Sequence, residues 1–514
     1  MSAVMVREVA AIAGAAGMAV MLLPRVIGGP LRIPDGARRV TGLIILLTAW
    51  ITMAATLVPS GIQDRLARPT GAVAAAVAIV IGLVAAAFIG RLLATRTWVW
   101  FLLLGLALPI RVPISVGGTD ANLLIPLYGV IVLGLITWAW QARGASGSRR
   151  WTRTVLDLPL LLFAGFTLVS LCWSSDIPQA ATKITFFWIP FLLLYVVAVQ
   201  LWRRGRALPV LAITTMAMAI PVSLLAVGEY IGRGVLWNHR LEQANVYSRF
   251  FRVNSIFYDP NILGRYLVLA MLIGVAVAYL KRADGRVLIA CAVAEIIYAA
   301  GLTVTFSRSS ALMLMVGLFI MSLRMFGRKR VVIVAVIVSV LGFGVAVAGS
   351  HQVRDALTST SRLSKVSEGR FDLMGGGVDL WKAHPVVGGG LGSFATDYSA
   401  RLSGGELRKT RVVISHNAPV TILSEEGVVG FALFTWLSVL ALLVGIRAGR
   451  ERDDDVGVPG AMMLAGLVGI FVHALLYSAL IEDPYTWLLA AGITVVVATA
   501  RSNGLRGPGT AEAP

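Results

Sequence analysis

The sequence predicts an all-α protein: a polytopic transmembrane helical bundle of about 12 to 15 spans, with one long extracytoplasmic loop region carrying short helices. Three observations predict it. Of 514 residues, 57% are hydrophobic and only 14% charged, and the mean hydropathy is +0.82, more apolar surface than a soluble core needs. Apolar runs of about 18 residues or more recur, each long enough to cross about 30 Å of hydrocarbon. These runs lack the polar–apolar alternation of a membrane β-barrel.

The runs place spans near residues 8–24, 40–59, 70–90, 97–113, 121–140, 155–174, 183–202, 207–228, 261–280, 286–306, 309–324, 330–349, 417–446, 458–480 and 484–500. The first is a membrane segment rather than a cleaved signal, because no clear small-residue cleavage site follows it and more spans come after. Pro109 and Pro113 interrupt the fourth. The segment 501–514 reads as a disordered cytoplasmic tail.

Orientation follows from the basic clusters, since short cytoplasmic loops hold the Lys/Arg excess. The clusters are Arg143-Arg149-Arg150-Arg153, Arg203-Arg204-Arg206, Lys281-Arg282-Arg286, Arg324-Arg328-Lys329-Arg330 and Arg447-Arg450-Arg452. Even numbers of spans separate them, so all five fit the cytoplasmic side. The intervals Ser174–Lys183, Glu229–Pro260, Ser307–Ser310 and 350–416 then lie outside. Cys172 and Cys291, the only cysteines, fall in opposite leaflets, too far apart for a disulfide. No Cys/His cluster has metal-ligand spacing.

The formal net charge is +19. Positive-inside topology and headgroup contact account for much of it. The basic residues sit in short clusters between spans, which argues against nucleic acid as a partner. Loop 350–416 nevertheless carries nine Lys/Arg against six acids on the outer side. Long loops are exempt from the charge rule, but an anionic ligand is the favoured reading.

Four stretches could carry chemistry. Arg249-Phe-Phe-Arg252 leads into Asp259-Pro260-Asn261, a helix start with a cap-competent residue and an early proline. Arg252 lies beside that helix end, where anions are favoured; Arg249 is the lesser neighbour. Arg308 sits in the short turn Ser307–Ser310, where a guanidinium either snorkels or holds a phosphate or diphosphate with its planar fork. Gly369-Arg370-Phe-Asp372 precedes His384-Pro385 and Gly388-Gly-Gly390-Leu-Gly392, glycines that could form an anion nest or simply tight turns. No Gly-Lys-Ser/Thr follows, so this is not a Walker A loop. Finally, His416-Asn417 stands at the mouth of a span, either as a capping pair or as a base titrating near neutrality. Glu425 and Glu426 lie about two turns inside that span, where ionisable groups usually face a cavity or a partner; Glu229 and Glu295 raise the same question.

Taken in order, these motifs resemble the O-antigen ligase / O-antigen polymerase superfamily, a class of multi-span membrane glycosyltransferases. Leu171-Cys-Trp173-Ser174-Ser-Asp176 also looks like that family's Leu-Trp-Ser-x-Asp signature. The similarity covers roughly residues 155–480, and it divides the chain into an N-terminal transmembrane region, 1–154, and a family-like core, 155–500, that includes loop 350–416. Where the family usually has glycine in the Arg252 motif, this chain has Ser255. The resemblance implies transfer of a glycan from a polyprenyl-diphosphate lipid to an acceptor glycan or glycolipid, on the outer face of the cytoplasmic (inner) membrane, with inversion and without a metal or cofactor. It also implies roles: Arg308 and Arg370 would hold the diphosphate, and His416 would position or deprotonate the acceptor hydroxyl. Arg252, His384 and Asn417 would support them, with Arg249 and Glu425 as further substrate-binding candidates. Ligase and polymerase need the same donor chemistry. The rival class, a transporter or flippase of an anionic or lipid-linked sugar, would call for inverted repeats and helices broken at mid-membrane. A non-enzymatic envelope scaffold would not need Arg308 and His416 on one face.

Overall fold

The computed structural model describes residues 2–22, 35–59, 68–116, 119–143, 152–202, 206–236, 238–247, 250–327, 370–402 and 415–504, with single positions at 61 and 64. The expected span at 330–349, most of loop 350–416 (350–369 and 403–414), Arg249 and the end of the tail lie outside the described residues.

Among the described residues, 11 helices are long and apolar enough to cross a membrane. The first are α1 (Ala3–Leu22), α2 (Asp35–Ala55) and α3 (Pro69–Thr95). The short apolar helix α4 (Thr97–Ala107) follows. A two-stranded antiparallel hairpin, β1 (Val112–Val116) with β2 (Thr119–Leu123), then pairs Val112 with Leu123. It is a small addition to the all-α expectation, and it separates α4 from α5 (Ile125–Arg143). Proline at 109 and 113 ends the apolar helix there, since it cannot supply a backbone donor.

The central element begins with α6 (Asp157–Val169) and a 3-10 turn, Ser170–Trp173. Then α7 (Ile177–Lys183) runs through one π turn, Ile184–Trp188, into α8 (Ile189–Leu201). The stretch expected as an outer loop up to Lys183 is therefore partly helical. All of α8 is buried, as expected of a helix apolar all round at the bundle centre. By contrast, α3 exposes Val73, Val77, Ile79, Val80 and Phe88 and reads as lipid-facing.

The next helices are α9 (Ala207–Gly232), the short α10 (His239–Tyr247), α11 (Pro260–Leu280), α12 (Gly285–Thr305) and α13 (Arg308–Met325). Two short helices follow within the long loop, α14 (Arg370–Ala383) and α15 (Phe394–Arg401). The last three are α16 (Ala418–Gly449), α17 (Asp454–Ala474) and α18 (Pro484–Gly504). Helix α13 packs on α17, α11 on α12, α16 on α17, and α18 on α8. The N-terminal helices join this bundle: α1 packs on α6 and α4 on α9.

The two ends of the bundle differ. At one end Arg324 meets Asp454 at 2.8 Å and Arg282 meets it at 3.7 Å, gathering two of the basic clusters. At the other end lie the starts of α11, α13 and α16. Each opens on a side-chain cap: Asp259 accepts from Asn261 N, Ser307 from Ser310 N, and Asn417 from Val420 N. The motifs converge at this second end.

Candidate active site

The glycine ribbon and the glutamates of α16 form one structure. Helix α16 breaks at Gly427, whose φ of 64° and ψ of −165° lie in a region open essentially to glycine alone. The break frees carbonyls and N–H groups that need partners in an apolar setting. Residues 385–390 supply them. Gly389 N and Gly390 N donate to Ser424 O and Glu425 O at 3.0 and 2.7 Å, while Val428 N and Val429 N donate to Pro385 O and Val386 O at 2.9 and 3.1 Å. Gly388, Gly390 and Gly392 all have positive φ. A Cβ at Gly388 would overlap the Glu425–Glu426 backbone, and one at Gly390 would overlap Ser174.

The Leu171–Asp176 motif closes over the same ribbon. Ser174 Oγ donates to Leu391 O at 2.8 Å, and Leu391 N donates to Ser170 Oγ at 3.1 Å. Asp176 caps α7 and accepts from Thr396 Oγ1 at 2.7 Å. Glu425 Oε2 accepts from Gly392 N at 2.9 Å and pairs with Lys183 at 3.2 Å. Glu426 points elsewhere, onto Thr167 Oγ1 at 2.9 Å.

A second cluster joins the Arg252 and Arg308 motifs. Asn261 Oδ1 accepts from Arg252 Nη2 at 3.2 Å and from Ser307 Oγ at 2.8 Å. Arg252 Nε donates to Thr305 O at 3.0 Å. Ser309 Oγ lies 3.0 Å from His473 Nε2, and His473 Nδ1 lies 2.9 Å from Arg265 Nη2. Arg265 Nη1 in turn donates to Asp483 Oδ2 and Ala479 O, both at 2.6 Å. Lys183, 4.0 Å from Glu482, bridges the two clusters, because Glu482 adjoins Asp483. Asn417 Nδ2 donates to Leu475 O at 3.1 Å, two residues beyond His473.

The sequence-predicted residues sort as follows. Asn417, Glu425 and Arg252 lie in these networks. Arg308 and His384 are exposed, Arg308 one residue from the Ser309–His473 contact. His416 is half-buried with φ 57°, a left-handed backbone costing a side chain about 1–2 kcal/mol. Such strain persists where surroundings over-determine it. Arg370 is the first residue of α14. Ser255, the position where the family usually has glycine, has φ 49°; its Oγ donates to Val222 O at 3.0 Å. Glu229 is a backbone clamp, accepting from Leu236 N, Asn254 N and Ser255 N. Glu295 packs against Gly274. Both cysteines are free. Among the described residues no group of three or more His, Cys, Asp or Glu is gathered as metal ligands would be.

Sequence reasoning missed Lys183, Arg265, His473, Glu482, Asp483 and Arg111. Arg111 stands just before the hairpin, its guanidinium 5.4 Å from the Phe257 ring centroid. Burial lowers its pKa, opposed first by Asp483. Burial raises the Glu482 carboxyl, with Lys183 acting against it. Burial, and after it Asp259, pushes the Tyr477 phenol well above its ordinary value, so Tyr477 keeps its proton beside Arg265.

Beside this end lies an apolar groove of about 510 Å³ between α6, α16, α17 and α18. Pro419 and Ile481 line it next to the polar network, and Leu160, Phe434 and Leu442 line it further along.

A helical membrane bundle with arginines, a histidine and a fixed ion-pair network at one end, next to an apolar groove, has the makings of a site for an amphipathic anion. The comparisons agree with that class. Residues 293–435 match the family described as O-antigen ligase, which supports the resemblance to the O-antigen ligase superfamily. The match takes in Arg308, Arg370, His384, His416 and Glu425. No curated protein matches the sequence. The match supports a membrane glycosyltransferase-like role in polysaccharide assembly, a family role that in general involves lipid-linked and acceptor glycans.

Proposed function

We propose that the protein transfers a glycan from a polyprenyl-diphosphate donor to a hydroxyl of an acceptor glycan or glycolipid, at the outer face of the cytoplasmic membrane. One observation carries the proposal. The networks tie the ends of α7, α11, α13, α16 and α17 into a single polar face that adjoins an apolar groove, a layout suited to a charged head and a hydrocarbon tail. The groove would receive the prenyl chain. The outward orientation rests on the basic clusters at the opposite end.

Arg308 and Arg370 would hold the diphosphate. The acceptor oxygen attacks the anomeric carbon, the bond from that carbon to the diphosphate oxygen breaks, and the leaving charge falls on the arginines. His416 takes the acceptor proton. A single displacement inverts the anomeric centre, and arginines serve where a metal ion otherwise could. Arg252 and Asn417 would act as supports through Asn261, Thr305 and Leu475, and Glu425 through the ribbon. His384 and Arg249 would contact substrate from the loop regions.

The test is purified protein in lipid nanodiscs with a polyprenyl-diphosphate glycan and candidate acceptors. A product ladder indicates a polymerase and a single shifted species a ligase. Undiminished transfer by His416→Ala and Arg370→Ala would sink the site assignment. Movement of the lipid-linked sugar across a bilayer with no covalent product would favour a transporter instead. The helix break at Gly427 lies in the first third of α16 and is filled by the ribbon, rather than opening at mid-membrane.

A further inference from the structure

Arg265 and His473 belong to no motif in the sequence, yet both are fully buried. A guanidinium inside an apolar helix is expensive unless paired. Here it is held by Asp483 and Ala479 O, and its remaining arm reaches His473. The hydrogen-bond direction follows from donor inventory alone. Arginine only donates, so His473 Nδ1 must accept and the imidazole is neutral with its proton on Nε2. That proton faces Ser309 Oγ at 3.0 Å, so Ser309 accepts. Ser307 Oγ must donate to the carbonyl Oδ1 of Asn261, which also takes Arg252. The hydroxyls of Ser307 and Ser309, either side of Arg308, therefore have assigned roles, that of Ser309 set by the arginine that Asp483 holds.

We infer that Arg265 and His473 are positioning residues for the transfer reaction: the chain Asp483–Arg265–His473–Ser309 sets the tautomer and the hydrogen-bond polarity that hold the Ser307–Ser309 turn, and so fix where Arg308 meets the donor diphosphate. The inference rests on the transferase reading. It predicts that His473 acts only through Arg308, although it touches no substrate. Residues acting as one unit give strongly non-additive losses, and small misplacements of a charge-stabilising group cost about a hundredfold in rate.

The experiment is a double-mutant cycle in nanodiscs, with His473→Ala, Arg308→Ala, the pair, and His473→Gln, whose amide N–H can replace the Nε2 donor. His473→Ala should lower kcat about 10- to 100-fold with donor KM changed less than about twofold. The Gln variant should recover most of that loss, and His473→Ala should cost less than about twofold once Arg308 is absent. Losses that multiply in the double variant, or a Gln variant no better than Ala, overturn the inference. Hydrogen exchange across residues 303–312 gives a readout independent of turnover. It should accelerate in His473→Ala and stay unchanged in α3; unchanged exchange at 303–312 also overturns it. Wild-type protein that forms no product refutes the transferase reading itself, and the exchange result then decides the ordering role alone.

Discussion

Replacing Gly390 by alanine tests the ribbon most directly. Gly390 has φ 90°, and its new Cβ would lie 2.6 Å from Ser174 N and overlap the Ser174 Cα. An L-residue in left-handed backbone costs about 1–2 kcal/mol. The obstacle is main chain, so relief requires the ribbon to move off α16. That loses Gly389 N to Ser424 O and Gly390 N to Glu425 O, at about 1 kcal/mol each. Reduced freedom of the unfolded chain offsets roughly 0.4–1 kcal/mol. The net is about 3 kcal/mol, or some two orders of magnitude in the population of docked ribbon. Gly375 provides the internal control: it lies in α14 with nothing within 4 Å of its added Cβ, so alanine there should be neutral or stabilising by up to about 1 kcal/mol. Thermal unfolding in nanodiscs and limited proteolysis of loop 384–393 read both variants. Equal behaviour of Gly390→Ala and Gly375→Ala would refute the ribbon's structural role.

Three further outcomes are expected. Lys183→Met strips Glu425 of its ion pair inside the protein and should destabilise by about 3–5 kcal/mol, with Lys183→Met/Glu425→Gln recovering part of the loss; thermal unfolding of both variants checks this. Burial raises the Glu482 carboxyl in the fold, so the folded state binds the proton more tightly. Its contribution to stability is full below the ordinary glutamate range and is lost as pH rises through the folded value; melting temperature against pH should fall less steeply in Glu482→Gln. Gly17→Val places a side chain 2.7 Å from Leu46 N and 2.9 Å from Gly42 O, and should separate α1 from α2, read as rapid backbone exchange in both helices.

The elements governed by local chemistry were legible in the sequence. Asp259-Pro260 was readable as a helix start because capping and the N1 proline are properties of three adjacent residues. Span positions followed from hydropathy for the same reason. The hairpin at 112–123 was not read, because its short strands lie between two apolar runs and their pairing leaves no hydropathy signal. The glycines admitted an anion nest or tight turns, and they fill a helix break with positive-φ backbone. That role depends on pairing 385–390 with 424–429, and nothing in either segment announces the other. Arg265 was the most recoverable omission. A lone arginine inside an apolar run is itself a signal, the same rule that drew attention to Glu425. Its partner Asp483 is 218 residues away, beyond the reach of spacing.

The motif residues divide physically, and the division changes how loss-of-function data on them should be read. Ser174, Asp176, Gly388, Gly390, Gly392 and Gly427 hold the ribbon against α7 and α16, Ser307 and Asn417 cap helices, and Asn261 ties Arg252 to Ser307. Inactivation at any of these follows from lost architecture, whatever the reaction. Arg308 and His384 are exposed at the same end, so substituting them should lower transfer with little change in stability. Glu425 stands between the groups, since one carboxylate oxygen holds the ribbon at Gly392 while the pair to Lys183 ties it toward Glu482 and Asp483. A Glu425→Gln variant keeps an acceptor for Gly392 N and loses the ion pair. If Glu425 only anchors the ribbon, glutamine should support near-normal transfer. If the charge network sets the site through Lys183, transfer should fall while the ribbon stays protected from protease.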